Sequence, residues 1–96
     1  GIRNEVNEFW NARKRFPDGL AELGQSTLPH RYFDATLETN GKVVVRIHDT
    51  DDPRVDGKRV ELVPTPDPAQ QGLRWRCHAP DIEPRLLPAN CREPPR

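Results

Sequence analysis

Residues 73–77 (LRWRC) and residues 87–92 (LPANCR) decide how the last quarter of this chain folds. In the first run, apolar side chains alternate with arginines, which is the pattern of a strand with one inward and one outward face. The only two cysteines, Cys77 and Cys91, bracket thirteen residues that include three prolines. The pair is a candidate for a disulfide, a metal site or a reactive dithiol.

A zinc site would need at least two ligands besides the cysteines. His78 adjoins Cys77, but His30 and His48 are far from both cysteines in the sequence. There is no Cys-x-x-Cys motif of the kind that redox proteins use. The residues therefore favour a disulfide, and neither a metal nor a cofactor is expected.

Two segments upstream of these residues predict a β-hairpin. Residues 36–39 lead into Asn40 and Gly41, the strongest short signal for a hairpin turn. Residues 42–48 follow as a strand, with valines and an isoleucine on one face and charged side chains on the other. A hairpin therefore precedes the acidic residues that begin at Asp49.

Residues 58–64 alternate in the same way, and residues 73–77 form the last strand of the set. Three prolines should end the strand at 58–64, because a proline cannot donate to a sheet ladder: Pro64, Pro66 and Pro68. The predicted sheet is a four-stranded antiparallel meander over residues 36–77.

Residues 1–16 carry apolar side chains near helical spacing, with acids early and bases late, which complements the helix dipole. This helix should end at about Phe16, because the next residue is Pro17. Residues 20–23 predict a short helical turn, and residues 25–35 predict the loop that leads into the sheet. The chain is expected to be one α+β domain over its whole length, residues 1–96, with the helix on one face of the sheet.

Three elements together resemble the bacterial type IV pilins. They are Trp-x-Cys at residues 75–77, Leu-Pro-x-x-Cys at 87–91 and Pro-x-x-Leu-x-x-Leu-Gly at 17–24. The resemblance implies a type IV pilin-like fold with a Cys77–Cys91 disulfide. That disulfide would bound an exposed C-terminal loop.

The resemblance also implies that the chain is a structural subunit, either a major or a minor pilin, of a type IV pilus that supports adhesion, surface motility or DNA uptake. In this family a hydrophobic N-terminal helix anchors the precursor in the inner membrane, with the globular domain in the periplasm. The helix later packs in the core of the extracellular filament. Residues 1–16 would be the second half of that helix, and a segment upstream would supply the first.

The partners implied by the resemblance are other pilin subunits, contacted through the upstream segment, and DNA or a host surface. The domain by itself is then expected to be monomeric in dilute solution. Two alternatives stay open: a DNA-binding competence pilin and a pseudopilin of type II secretion.

The composition weighs against two classes of function. The 96 residues include 15 basic and 15 acidic side chains, so the formal net charge is zero. Dedicated nucleic-acid binders usually carry a basic excess. No histidine has a nucleophile or carboxylate at a recognisable spacing, and no phosphate-binding glycine loop is present. An enzyme is not expected.

Arg59, Arg74 and Arg76 should share the solvent face if the last two strands pair. This patch would contact phosphates in the DNA-binding alternative. Glu61 lies within the patch, and no aromatic side chain projects from it for base stacking. A solvated face or a contact between subunits is the preferred interpretation.

The loop at residues 49–56 holds four aspartates, whose spacing begins like that of a calcium-binding loop. Such a loop needs a glycine at its sixth position and a glutamate at its twelfth, and both are missing. A solvated loop between strands is therefore preferred over a calcium site.

Overall fold

A computed structural model describes residues 2–23, 31–69 and 72–92 of the chain. An N-terminal helix packs on a four-stranded antiparallel sheet, whose strands lie side by side in chain order. The predicted α+β fold, with its meander sheet and C-terminal disulfide, is confirmed. The elements are α1 (Ile2–Arg13), a 3₁₀ helix (Leu20–Leu23), β1 (Phe33–Leu37), β2 (Val43–Ile47), β3 (Arg59–Asp67), β4 (Gly72–His78), a 3₁₀ helix (Pro84–Leu86) and α2 (Ala89–Arg92).

The first helix ends three residues before the predicted Phe16. Lys14 adopts a left-handed backbone with φ of 57°, and its N–H donates to the Trp10 carbonyl at 2.7 Å. This closes the last turn and lets the chain reverse, so that the Phe16 ring packs on the Trp10 ring, with 4.7 Å between centroids. Within the described ranges, no helix has both the length and the apolar character needed to cross a membrane.

The sheet begins at Phe33, three residues before the predicted start at residue 36. Phe33 lies opposite Ile47 in the antiparallel register, and Ala35 lies opposite Val45. Both side chains are half-buried, while Asp34 between them is exposed. The predicted loop at residues 25–35 is therefore wrong for its last three residues, and residues 24–30 lie outside the described part of the chain.

The third strand continues through Pro64 and Pro66 to Asp67, so the prediction that these prolines end it is wrong. Ile47 N–H donates to the Lys58 carbonyl, so the even-numbered residues of β3 turn their backbone groups towards β2. The pairing of β3 with β2 extends only to Leu62. Pro64 and Pro66 therefore face the side of β3 that has no neighbouring strand beyond Leu62. No hydrogen bond from their backbone nitrogens is needed there, so the strand tolerates both prolines.

The inner face of the sheet carries both the helix and the C-terminal loop. Trp75 Nε1 donates to Asn7 Oδ1 at 3.0 Å, which ties β4 to α1. Val6 of the helix and Val43 of β2 are almost fully buried. A second apolar cluster lies under the C-terminal loop and comprises Ile47, Val55, Val60, Ala79, Ile82, Leu86, Leu87 and Cys91.

Candidate functional site

A disulfide joins Cys77 at the end of β4 to Cys91 in α2, with 4.6 Å between the two Cα atoms. It closes the segment between them, which we call the stapled loop (residues 77–91). Arg92 adds a second closure, because its Nε donates to the carbonyls of Pro84 and Leu87 at 3.0 and 2.8 Å. The disulfide therefore joins the two ends of the loop, and the Arg92 hydrogen bonds tie its C-terminal end to its interior.

The stapled loop folds back on the sheet and contributes to its core. Ala79, Ile82 and Leu87 are each less than a tenth exposed and pack with Val60 and Ile47. Because these three side chains turn inward, the polar ones between them turn outward. Its exposed residues are Pro80, Asp81, Glu83, Pro84, Arg85, Pro88 and Ala89. The loop thus presents a rim of charged and proline residues on a fixed support.

The three arginines of the predicted patch lie on the outer face of the sheet. Arg74 is opposite Thr65 and Arg76 is opposite Val63, so both share the face of the odd-numbered β3 residues, which includes Arg59. Arg59 differs from the other two in that it pairs with carboxylates, since its Nε is 3.8 Å from Asp81 Oδ2 and 3.9 Å from Glu61 Oε2. Its charge is largely balanced by these two carboxylates.

Arg74 and Arg76 are exposed, and within the described part of the chain neither forms an ion pair. Glu61 is mostly buried beside them and also receives Lys42, whose Nζ is 3.6 Å from Oε1. Lys42 is in turn 3.4 Å from Glu38. The alternation of β3 predicted that Glu61 lies in the patch. It did not predict that Lys42, from the β1–β2 turn, contacts Glu61.

Two of the four carboxylates of the aspartate loop, those of Asp52 and Asp56, are engaged within the loop itself. Asp56 Oδ1 accepts from the N–H and the hydroxyl of Thr50, at 3.0 and 2.6 Å. Hydrogen bonds from the Arg54 side chain and backbone lower the pKa of Asp52 to about 2. Across residues 2–23, 31–69 and 72–92, no group of three acidic, histidine or cysteine side chains is placed to hold a metal ion.

His48 lies between two carboxylates, an arrangement that sequence reasoning missed. Its Nδ1 is 2.8 Å from Asp49 Oδ2, and its Nε2 is 3.4 Å from Asp34 Oδ1. The hydrogen bond to Asp49, followed by that to Asp34, raises the pKa of His48 above its usual 6.5. The alternation of residues 33–37 was the signal that would have put Asp34 on the strand beside it.

Comparison with known proteins identifies the family of this chain. A family model described as pilin, a bacterial filament protein, matches residues 1–92. No curated protein matches the chain. The matched range includes α1, all four strands, both cysteines and the stapled loop.

Proposed function

Because this chain belongs to the pilin family of bacterial filaments, we propose that it displays its stapled loop and outer sheet face on the surface of a type IV pilus. As a pilin, it is a structural subunit that assembles with other pilin subunits into an extracellular pilus, and the family is not one of enzymes. The displayed surfaces would support adhesion or surface motility.

The construction of the stapled loop carries this proposal. The disulfide and the buried Ile82 and Leu87 hold the loop rigidly, while Glu83 and Arg85 face solvent. A preorganised surface loses less conformational entropy when it binds a partner. A subunit exposed on a filament outside the cell also needs its loops held, and disulfides persist in that oxidising environment.

We propose that filament contacts run through an apolar helical segment continuous with the N-terminal end of α1. The support comes from the family. Arg3 near the N-terminal end of α1 is exposed, and it lines a groove together with Leu87 and Pro88 of the stapled loop. In the filament the N-terminal end of α1 would face the core, whereas the exposed rim of the stapled loop would face outward.

Amine labelling of assembled filaments tests both orientations. Arg85→Lys and Arg3→Lys each place one new amine on an exposed arginine position without changing charge. In the isolated domain an amine-reactive biotin should modify both. In filaments, the amine at position 85 should stay reactive and that at position 3 should be protected, as measured by peptide mass spectrometry. Protection at position 85 together with labelling at position 3 would contradict the proposed orientation.

DNA uptake is a second candidate, because one observation favours it. Arg74 and Arg76 follow each other on the same exposed face of β4, and no carboxylate among the described residues neutralises them. Successive arginines on a strand suit contacts with a phosphate backbone, which gives affinity without sequence preference. This candidate uses two of the three predicted arginines, because Arg59 is held by Glu61 and Asp81.

A further inference from the structure

A groove of about 870 Å³ lies between the C-terminal half of α1 and the ends of β3 and β4. The proposed function makes no use of it. Trp10 and Lys14 line it from the helix, and Pro66 and Pro68 form the facing wall. The full lining is Trp10, Asn11, Lys14, Pro66, Asp67, Pro68 and Gly72.

The walls of this groove are fixed before anything binds. The Trp10 ring packs against the Phe16 ring, at 4.7 Å between centroids. Pro66 and Pro68 have φ locked by their rings. Lys14 is held in the left-handed conformation that ends α1, with φ of 57°. An aromatic ring facing prolines across a preformed groove is the kind of surface that binds extended, proline-rich segments.

The groove also carries one charge of each sign. Among the described residues, the Lys14 ammonium forms no ion pair, and it is exposed. The Asp67 carboxylate accepts the Ala69 N–H through Oδ1 at 3.0 Å, which leaves Oδ2 for another donor. A ligand that fits should therefore combine prolines with an acidic and a basic side chain.

Residues 93–96 of this chain, Glu-Pro-Pro-Arg, have this composition. We propose that the groove binds residues 93–96 of a second copy of the chain. The two prolines pack on Trp10 and against Pro66, Glu93 pairs with Lys14, and Arg96 pairs with Asp67. Because Pro94 and Pro95 already have φ fixed, the segment loses little entropy when it is ordered.

We take the segment from another copy, because the chain holds its own segment far from the groove. Cys91 is bonded to Cys77, and Gly72 at the groove is five residues earlier in β4, about 16 Å away for an extended strand. Pro94 and Pro95 follow Cys91 by three and four residues, a reach of about 11–14 Å when the chain is fully extended. A segment that entered its own groove would therefore be fully stretched, whereas the segment of a second copy can place both prolines in the groove without that strain.

This geometry suits a filament, and the inference rests on the proposed function in that respect. The groove and the attachment point of the segment lie at opposite ends of β4. A contact between one end of a copy and the other end of the next is heterologous, and such contacts propagate into open filaments when the rotation does not close. The high local concentration of neighbours in a filament would keep even a weak contact occupied.

A peptide titration tests the inference on the intact chain of 96 residues. The probe is a capped synthetic peptide of residues 92–96, added to isotope-labelled protein and followed by NMR. We expect the Trp10 indole N–H and the Lys14 amide to shift and to saturate on the order of a millimolar. A peptide with serine at both proline positions keeps the charges and should bind about tenfold more weakly.

A charge exchange keeps the test independent of folding, since Lys14 is exposed. The Lys14→Glu variant should lose binding of the natural peptide and regain it with a peptide carrying Glu93→Lys. A Trp10 resonance that does not move at saturating peptide, or equal binding by the serine peptide, would overturn the inference. Filaments that contain the chain would still form in that case. Absence of the chain from filaments would instead overturn the proposed function, whatever the peptide does.

Discussion

The ring of Phe16 lies directly on Gly41, so that a β-carbon at position 41 would collide with Phe16 Cδ1 and would lie 2.7 Å from Cε1. Gly41 belongs to the β1–β2 turn and has φ of 82°. Phe16 follows the left-handed end of α1 and also packs on Trp10. The contact therefore ties the end of the helix to a turn of the sheet, and only glycine fits there.

Gly41→Ala should destabilise the domain for two reasons, the collision with Phe16 and the positive φ. A strained backbone position alone costs about 1–3 kcal/mol. Gly57→Ala is the matched control, because Gly57 has φ of 78° and open space where a β-carbon would go. Denaturant unfolding should show a larger loss for Gly41→Ala than for Gly57→Ala. Equal losses would mean that the Phe16 contact contributes nothing.

The disulfide should contribute strongly to stability, because it closes a loop with a sequence separation of 14. In the chain-entropy model a loop of this size is worth about 3 kcal/mol. The Cys77→Ser, Cys91→Ser double variant should lose this amount in urea unfolding. Reductant should lower the wild-type stability to the same level and leave the double variant unchanged. If reductant leaves the free energy of unfolding of the wild type unchanged, the disulfide does not contribute to stability.

His48 should make stability depend on pH. Asp49 and Asp34 raise its pKa in the folded state above the 6.5 of the unfolded chain. The stabilisation is then fully present below about pH 6.5, with both carboxylates ionised, and is lost as the pH rises through the folded pKa. The melting temperature of wild type should fall over this range relative to His48→Gln, with His78→Gln as the control.

An NMR titration of the His48 ring separates the two carboxylates. Asp49→Asn should lower the pKa of His48 more than Asp34→Asn, since the hydrogen bond to Asp49 is the shorter, at 2.8 Å against 3.4 Å. A pKa that is the same in both variants and in wild type would contradict the assigned cause.

Any binding of DNA should depend on Arg74 and Arg76. We expect weak binding at low salt that falls steeply as salt rises, because each phosphate contact releases counterions. Arg74→Ala with Arg76→Ala should reduce the salt slope by about 2, and Arg54→Ala, whose charge is balanced by Asp52, should leave it unchanged. Fluorescence anisotropy measures both. Sub-micromolar binding at about 150 mM salt, lost in the double variant, would favour DNA uptake over a purely structural role.

The strands with strict alternation were predictable from local pattern alone. Residues 73–77 and 42–48 lie within about one residue of β4 and β2, because one apolar face determines which side chains turn inward. The end of α1 was not predictable in this way. It depends on the left-handed backbone of Lys14 and on Phe16, which packs on nearby Trp10 and also on Gly41. The contact with Gly41 joins distant parts of the chain, and local pattern does not reveal it.

In the candidate site, too, the local pattern predicted the faces of single strands but not the contacts between separate segments. The alternation of β4 correctly placed Arg74 and Arg76 on one exposed face. Local pattern could not show that Asp81, from the stapled loop, approaches Arg59, or that Lys42 reaches Glu61. The prolines of β3 were misjudged because local sequence does not reveal which side of a strand lacks a neighbour.

Purified filaments show whether this chain is a subunit of a pilus. Pili sheared from cells that produce the chain should yield its peptides by mass spectrometry. Among them should be the Cys77 and Cys91 peptides, joined unless reductant is added. If filaments contain none of these peptides while the chain accumulates elsewhere in the cell, the chain is not a pilus subunit.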